Sequence, residues 1–339
     1  MGLGPRILTY LSVFHNLLYI RAILEGIYKF KDIVALIYKQ MGQGDSNWQM
    51  PWHGKNPVPV NILHGRSYQG INRILLWARA RKYGFKSRHW GTFNQWRSVK
   101  QPVASGSKAA TLVVPRLEKN KAGEEELKGF KTFWVFNGDQ VLNRNENHPD
   151  LFGIEAAEDT DAEAFISSLN ADIRHGYQRA LYYKRSDHIE MPDRETFIHT
   201  KTSTPIQNYY STLLHEIIHW TGHEKRENRE PYIEDPVLDY AFEELVAELG
   251  GAFLCSDLEL EDVPRQDHAQ YLNSWLGIFE EKPAAFWKAS TLAQKAVIYL
   301  KQTVPPEPDQ DDSAPPWFTG EPVQLDMLAP KVLGTGKKN

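Results

Sequence analysis

Residues 214–220 read Leu-His-Glu-Ile-Ile-His-Trp, and no other stretch restricts the fold so tightly. Two histidines separated by three residues converge on one ion when the backbone between them is helical, because four residues make about one turn and bring both rings to one face. The flanks agree with that. Thr204-Pro205-Ile206-Gln207 supplies a capping threonine, a proline at the first helical position and a glutamine three residues after the cap. Apolar Ile206, Leu213, Leu214, Ile217 and Ile218 form a stripe for burial, and Gly222 is a natural stop.

Two neutral imidazoles at this spacing suit one zinc ion per chain, held by His215 and His219, with Glu216 placed to accept a proton from water at that ion. A helix with two satisfied core histidines is the bland alternative, and it leaves Glu216 between them without purpose. A third ligand has to come from another segment. In residues 240–248, Tyr-Ala-Phe-Glu-Glu-Leu-Val-Ala-Glu, a helical backbone puts Glu244 and Glu248 on one face. Leu245, Val246, Ala247, Leu249 and the small run Gly250-Gly251-Ala252 mark the segment as buried, where an unpaired carboxylate is costly. Glu244 is therefore the expected ligand, and Glu248 the carboxylate that orients a histidine N–H. Glu243 points about 100° away and is the weaker candidate. His223 is the rival ligand, but it lies beyond Gly222, and Lys225 stands where the longer H-x-x-G-x-x-H extension would place its histidine.

Charge divides the chain unevenly. Residues 1–119 hold 18 Lys and Arg against four acidic residues (Glu25, Asp32, Asp45 and Glu118), a net of +14; the rest holds 21 against 39, a net of −18. Between Asp45 and Glu118 lie 72 residues with no acidic side chain and 12 basic ones. An ordinary solvated surface mixes both signs, so this bias implies a polyanionic partner. Aromatic rings are interleaved with the cations, which suits single-stranded nucleic acid: cations follow the backbone and rings stack on unpaired bases. The candidate phosphate contacts are Lys55, Arg66, Arg73, Arg79, Arg81, Lys82, Arg88, Arg97 and Lys100, with Asn72 among the polar contacts. Trp52, Tyr68, Trp90 and Trp96 are the candidate stacking rings, while Trp77 and Phe93 are expected in a core. No signature of a base-reading duplex binder is present.

The fold class expected is α+β. A basic α+β DNA-binding domain over residues 25–145 precedes a mainly helical metal-binding domain with a small sheet over 150–303. A hydrophobic extension (1–24) and a Pro/Asp-rich tail (304–339) flank them. At 339 residues with 41% apolar content there is material for two cores. The lone Cys255 excludes a disulfide framework and fits a reducing cytoplasm, where it is expected buried and inert. The apolar run at 7–20 is interrupted by His15 and Asn16 and is too short to span a bilayer, so no membrane partner is expected. Helices are expected over 27–41, over 70–83 with Gly84 as stop, after Thr92 with Gln95 completing a cap, and over 162–170. Strands are expected over 111–114, 132–136, 180–183 and 189–191, with a charged loop at 118–129 and an interdomain connection at 143–150.

The chain resembles the ArdC-type antirestriction proteins of conjugative plasmids, including the amino-terminal part of TraC primases, over roughly residues 25–300. The likeness rests on Pro51-Trp52, Pro59 with Asn61, Gly65-Arg66, Tyr68, Gly70-Ile71-Asn72, Leu75, and Trp90 with Thr92-Phe93 and Gln95. In the second half it rests on Asp187-His188-Ile189, Met191-Pro192, Phe197, Tyr210, His215-Glu216, His219-Trp220-Thr221-Gly222-His223 and Glu243 to Leu249. The Lys-Gly-Glu-Lys-Gly-like turn common in that family is absent from residues 101–110. The resemblance implies a single-stranded DNA-binding domain joined to a zincin-like metallopeptidase domain, and a role in shielding incoming DNA from restriction. It leaves two readings: a DNA-targeted peptidase acting on a protein substrate, which could pair along the strand edge near 189–191, or a DNA-binding shield braced by structural zinc.

Overall fold

The computed structural model describes residues 27–28, 52–119, 125–142, 160–200, 203–233, 235–260 and 284–303, with isolated positions between 275 and 282. The expected connection at 143–150, the extension before residue 25 and the tail lie outside the described residues, as does most of the helix expected at 27–41. Where that helix was expected to begin, Ile27–Tyr28 instead forms a short strand, β1.

The basic half is built on a five-stranded sheet. Its centre is a long hairpin of β4 (Ala110–Lys119) and β5 (Glu125–Asn137), antiparallel throughout with an irregularity between Arg116 and Leu117. The charged loop expected at 118–129 is thus largely strand: tertiary pairing along the ladder overrides the low β-propensity of Glu and Lys. β5 also pairs antiparallel with β1 and with β3 (His89–Gly91), and β3 pairs parallel with β2 (Val60–Asn61). Helix α1 (Ile71–Tyr83) packs on β4 and stops at Gly84, whose φ of 68° is the left-handed conformation that ends helices. Asn72 of α1 grips the outer edge of β4, its amide donating to the Val113 carbonyl (2.8 Å) and its oxygen accepting from the Val113 N–H (2.9 Å). Helix α2 (Phe93–Ser98) starts at a two-way cap between Thr92 and Gln95.

The second half opens with helix α3 (Thr160–Ser168) and a three-stranded sheet of β6 (Asp172–Arg174), β7 (Leu181–Tyr183) and β8 (His188–Glu190). The order is β6-β8-β7, so β8 is central and β7 is an edge. With β8 paired on both sides, the peptide-pairing edge expected near 189–191 is not there, and Ile189 and Met191 are fully buried; the edge strand beside α4 is β7. Helix α4 (Pro205–Thr221) begins with the Thr204–Gln207 capping box and is closed by Gly222. Helix α5 (Pro236–Asp257) is capped by Asp235, which accepts from Val237 and Leu238 N–H (3.0 Å each), and α6 (Ala285–Thr303) packs on it.

One apolar core runs through both halves, from Trp77 and Leu112 to Phe253 and Ala293. Arg73 pins them together. Only 2% exposed, it reaches Asp257 of α5 at 2.5 Å and the Phe253 carbonyl at 3.3 Å, and its guanidinium lies over the rings of Trp77 and Phe253. The backbones of α4 and α5 approach closely because α5 carries Gly250 and Gly251 at the crossing. A Cβ at Gly250 would stand 2.8 Å from Ile218, and one at Gly251 would stand 3.4 Å from the His215 Cα. Cys255 is buried. Among the described residues no helix is long and apolar enough to cross a membrane.

Candidate metal centre

The α4–α5 crossing brings together residues 25 or more positions apart in sequence. His215 and His219 sit one turn apart on α4, their Nε2 atoms 3.2 Å from each other. Glu244 of α5 closes a triangle, 3.6 Å from His215 Nε2 and 3.5 Å from His219 Nε2. Three ligands about 2.0–2.2 Å from a tetrahedral ion must stand about 3.3–3.5 Å apart. The triangle therefore has the size a divalent cation needs, and its donor set of two imidazoles and a carboxylate is the right chemistry. Among the described residues this is the group of three whose ligating atoms lie within 4.8 Å of one another. His223 is outside it: its Nδ1 accepts the Lys225 N–H (3.2 Å) and lies 3.9 Å from Asp187.

Each histidine has a carboxylate behind it. Glu243 Oε1 lies 3.2 Å from His219 Nδ1 and is itself held by Arg229, whose Nη2 reaches it at 2.5 Å. Arg229 also donates to the Ile218 carbonyl and Thr221 hydroxyl (2.6 Å each), locking the end of α4. Behind His215 stands Glu248, with Oε2 3.9 Å from Nδ1. The residue expected to point away, Glu243, thus orients one ring while Glu248 faces the other. The 100° step between Glu243 and Glu244 is what lets one reach Nδ1 and the other Nε2 of a single imidazole.

The ring of Glu243, Glu244, His215 and His219 perturbs its own protonation. Burial opposes charge on His219, but hydrogen bonds and charges from Glu243 and Glu244 prevail and push its pKa up to about 10. For Glu243, burial is likewise outweighed by Arg229 and His219, and its pKa drops to about 2. Burial would raise Glu244 too, yet His215 and His219 hold it below the usual carboxylate range. Ligation requires a neutral His219, so metal uptake at neutral pH should release a proton. The apparent affinity should then weaken by up to about tenfold for each proton and each pH unit lowered. Calorimetry in buffers of different ionisation enthalpy measures this directly; uptake with no proton release would show that His219 is already neutral.

Glu216 is 2% exposed and lies beside the triangle on α4; its Oε2 accepts the Tyr182 N–H of β7 at 2.9 Å. That strand is anchored through Asp187, which takes the Tyr182 hydroxyl (3.0 Å) and the Arg226 guanidinium beyond the end of α4. Arg226 also lies over the Trp220 ring, 3.8 Å from its centroid. Tyr209 and Tyr210 point elsewhere, their hydroxyls bonded to His175 (2.9 Å) and Glu163 (2.7 Å). Beside His219 a cavity of about 190 Å³ is lined by Tyr182, Lys184, Tyr232, Phe242 and Glu243. Sequence reasoning missed Arg229, Arg226 and the Tyr182 amide; they act across space and carry no spacing signal.

The basic half departs from expectation at several positions. Trp52, Trp90 and Trp96 are 2% exposed or less and serve the core, as rings do when a sheet and helices close over them. The Trp96 indole donates to the Phe136 carbonyl (2.9 Å). Tyr68 is largely covered, bonded to Asn61 (2.9 Å), and burial pushes its pKa to about 12. Arg73 and Asn72 are spent on internal bonds. Arg79 lies over Tyr83 (4.1 Å) and donates to the Lys108 carbonyl (2.6 Å), and Arg88 is half-buried. Lys55, Arg66, Arg81, Lys82, Arg97 and Lys100 are exposed. So are three rings not assigned to stacking: Phe93, expected in a core, at 50%, Trp134 at 55%, and Tyr83, which Arg79 covers on one side, at 43%. Phe93 meets Phe136 edge-on.

Residues 29–139 match the model of the N-terminal domain of anti-restriction factor ArdC, and residues 160–292 that of a zincin-like metallopeptidase. The chain is 31% identical over 286 residues to y4eC, an uncharacterized protein of Sinorhizobium fredii (strain NBRC 101917 / NGR234), covering 80% of this chain and 91% of y4eC. It is 30% identical over 289 residues to the DNA primase TraC of Escherichia coli, but there spans only 26% of the longer protein and 78% of itself. Crystal structures of the antirestriction protein ArdC from plasmid R388, metal-free and Mn(II)-bound, superpose with TM-scores of 0.65 and 0.63. At 32% identity they align over 81% of this chain and 97% of theirs. With nearly the whole of a solved ArdC matched and both of its halves found in order along the sequence, this chain belongs to the ArdC family of antirestriction proteins.

Proposed function

We propose that the protein is a zinc-dependent peptidase carried to single-stranded DNA by its basic half, and that it protects incoming or mobile-element DNA. The observation that supports the peptidase reading most strongly is the placing of Glu216. A buried carboxylate next to three converged ligands, with one oxygen fixed by a strand amide, is arranged to take a proton rather than to brace a fold. His215, His219 and Glu244 would hold the ion, which when bound polarises a peptide carbonyl and acidifies water. Glu216 accepts the proton and can return it to the leaving amine. An extended peptide would lie along edge strand β7, next to α4, and would have to share or displace the Tyr182 N–H bond to Glu216 to pair with it. Tyr240, exposed one turn before Glu244, is a candidate for steadying charge on a carbonyl oxygen. Three ligands leave one position open, whereas structural zinc sites are closed by four.

On the basic half, Lys55, Arg66, Arg81, Lys82, Arg97 and Lys100 would follow phosphates. Trp134 and Phe136 on one face of β5, with Phe93 of α2 edge-on to Phe136, would take the stacking role, replacing the buried tryptophans. The R388 relative binds Mn(II), so metal analysis of the purified chain decides between zinc and manganese.

Glu216→Gln tests the reading. It keeps shape and metal ligands, and should lower cleavage of an unfolded protein substrate by about 10²-fold or more while bound metal stays stoichiometric. Loss of protection against restriction in the same variant supports the peptidase. Full protection with Glu216→Gln assigns it instead to the shield.

A further inference from the structure

Trp52 and His53 belong to the basic half, more than 160 positions before His215, yet both are buried against the metal centre. The Trp52 indole N–H donates to Glu248 Oε1 at 3.2 Å, and His53 Nε2 lies 2.6 Å from the same oxygen. With Oε1 taken twice, Oε2 is turned to His215 Nδ1, 3.9 Å away. A ligating Nε2 leaves Nδ1 as the N–H side of the ring, and the partner of that N–H fixes the ring's tautomer and direction.

The loop that carries the pair is itself fixed from both sides. The Asn56 amide donates to the carbonyls of Trp52 (2.9 Å) and His53 (3.1 Å), and the Arg81 guanidinium donates to the His53 carbonyl. The Trp52 ring packs on Phe286 of α6, with centroids 6.1 Å apart. We propose that Trp52 and His53 are positioning residues for the metal centre: the basic half completes it by holding Glu248 behind His215. A fully formed metal centre therefore requires the basic half docked on α5, and the loop that docks it also bears the exposed Lys55. The inference rests on the reading of His215 as a ligand.

The test uses the full chain, with Zn²⁺ affinity read by competition against a chelator and geometry read from the visible spectrum of bound Co²⁺. Trp52→Phe keeps the ring and removes the donor; His53→Ala removes a donor that His53→Gln partly restores. The first two should weaken Zn²⁺ binding about tenfold or more and shift the Co²⁺ band, with His53→Gln intermediate. In a Glu248→Gln background, adding Trp52→Phe should cost little more, since both act through one carboxylate. Trp77→Phe, which loses a bond to the Pro57 carbonyl (2.9 Å) and does not touch Glu248, should lower metal-free thermal stability while leaving affinity and spectrum in place. Wild-type affinity in Trp52→Phe and His53→Ala, or effects that add fully to Glu248→Gln, would overturn the proposal. If His215→Ala binds Zn²⁺ as well as wild type, the ligand reading itself has failed; if it abolishes binding while the Trp52 and His53 variants keep wild-type affinity, this proposal alone falls.

Discussion

Affinity for single-stranded DNA is expected to fall about 300-fold between about 50 and about 200 mM salt, from a slope near −0.7 per neutralised phosphate and about six contacts. The six are the exposed cations Lys55, Arg66, Arg81, Lys82, Arg97 and Lys100. Fluorescence anisotropy with a labelled oligonucleotide across that range measures the slope. Lys82→Ala and Arg97→Ala should each flatten it by about 0.7, while Trp134→Ala should weaken binding at every salt concentration, because stacking releases no counterions. A flat response would remove the basic half as the binding surface. Arg73 would be counted with these cations on charge alone, but its burial predicts a different phenotype.

Asp257→Ala should destabilise the folded chain by about 3–5 kcal/mol, the cost of leaving a buried charge without its partner. Arg73 is the stranded group. Its guanidinium keeps the Phe253 carbonyl and two ring faces, none of which neutralises it. Lys301, 2.6 Å from the other Asp257 oxygen, is about half exposed and can turn to solvent. Burial opposes charge on Asp257, but the two cations prevail and keep its pKa low, so the pair is ionised at neutral pH. The double change Arg73→Met with Asp257→Leu should recover most of the loss, since a well-packed apolar pair can replace a buried ion pair. Denaturant unfolding of these two variants beside the wild type decides the point. A mild effect of Asp257→Ala alone would mean that water reaches the pair and that the two halves are held by the apolar core.

What could be read along the chain was local. The Thr92 and Thr204 caps, the Gly84 and Gly222 stops and the helical pairing of His215 with His219 depend on neighbours within about one turn, and the α+β class follows from such segments. The chain's charge bias is likewise legible, since it is a sum over residues and needs no coordinates. What it could not disclose is which members of a class end up inside. Arg73 and Arg81 are eight residues apart on α1, one buried against Asp257 and the other exposed. Trp52 and Trp134 are chemically identical, yet one bonds Glu248 and the other faces solvent. The charged stretch 125–129 became strand because it had a partner to pair with. Glu243 and Glu248 divided the two histidines between them because α5 crosses α4 at Gly250 and Gly251. Short-range sterics and hydrogen bonding act within a few residues and can be read in order; burial and orientation arise only when distant segments exclude water together, and tertiary packing alone decides them.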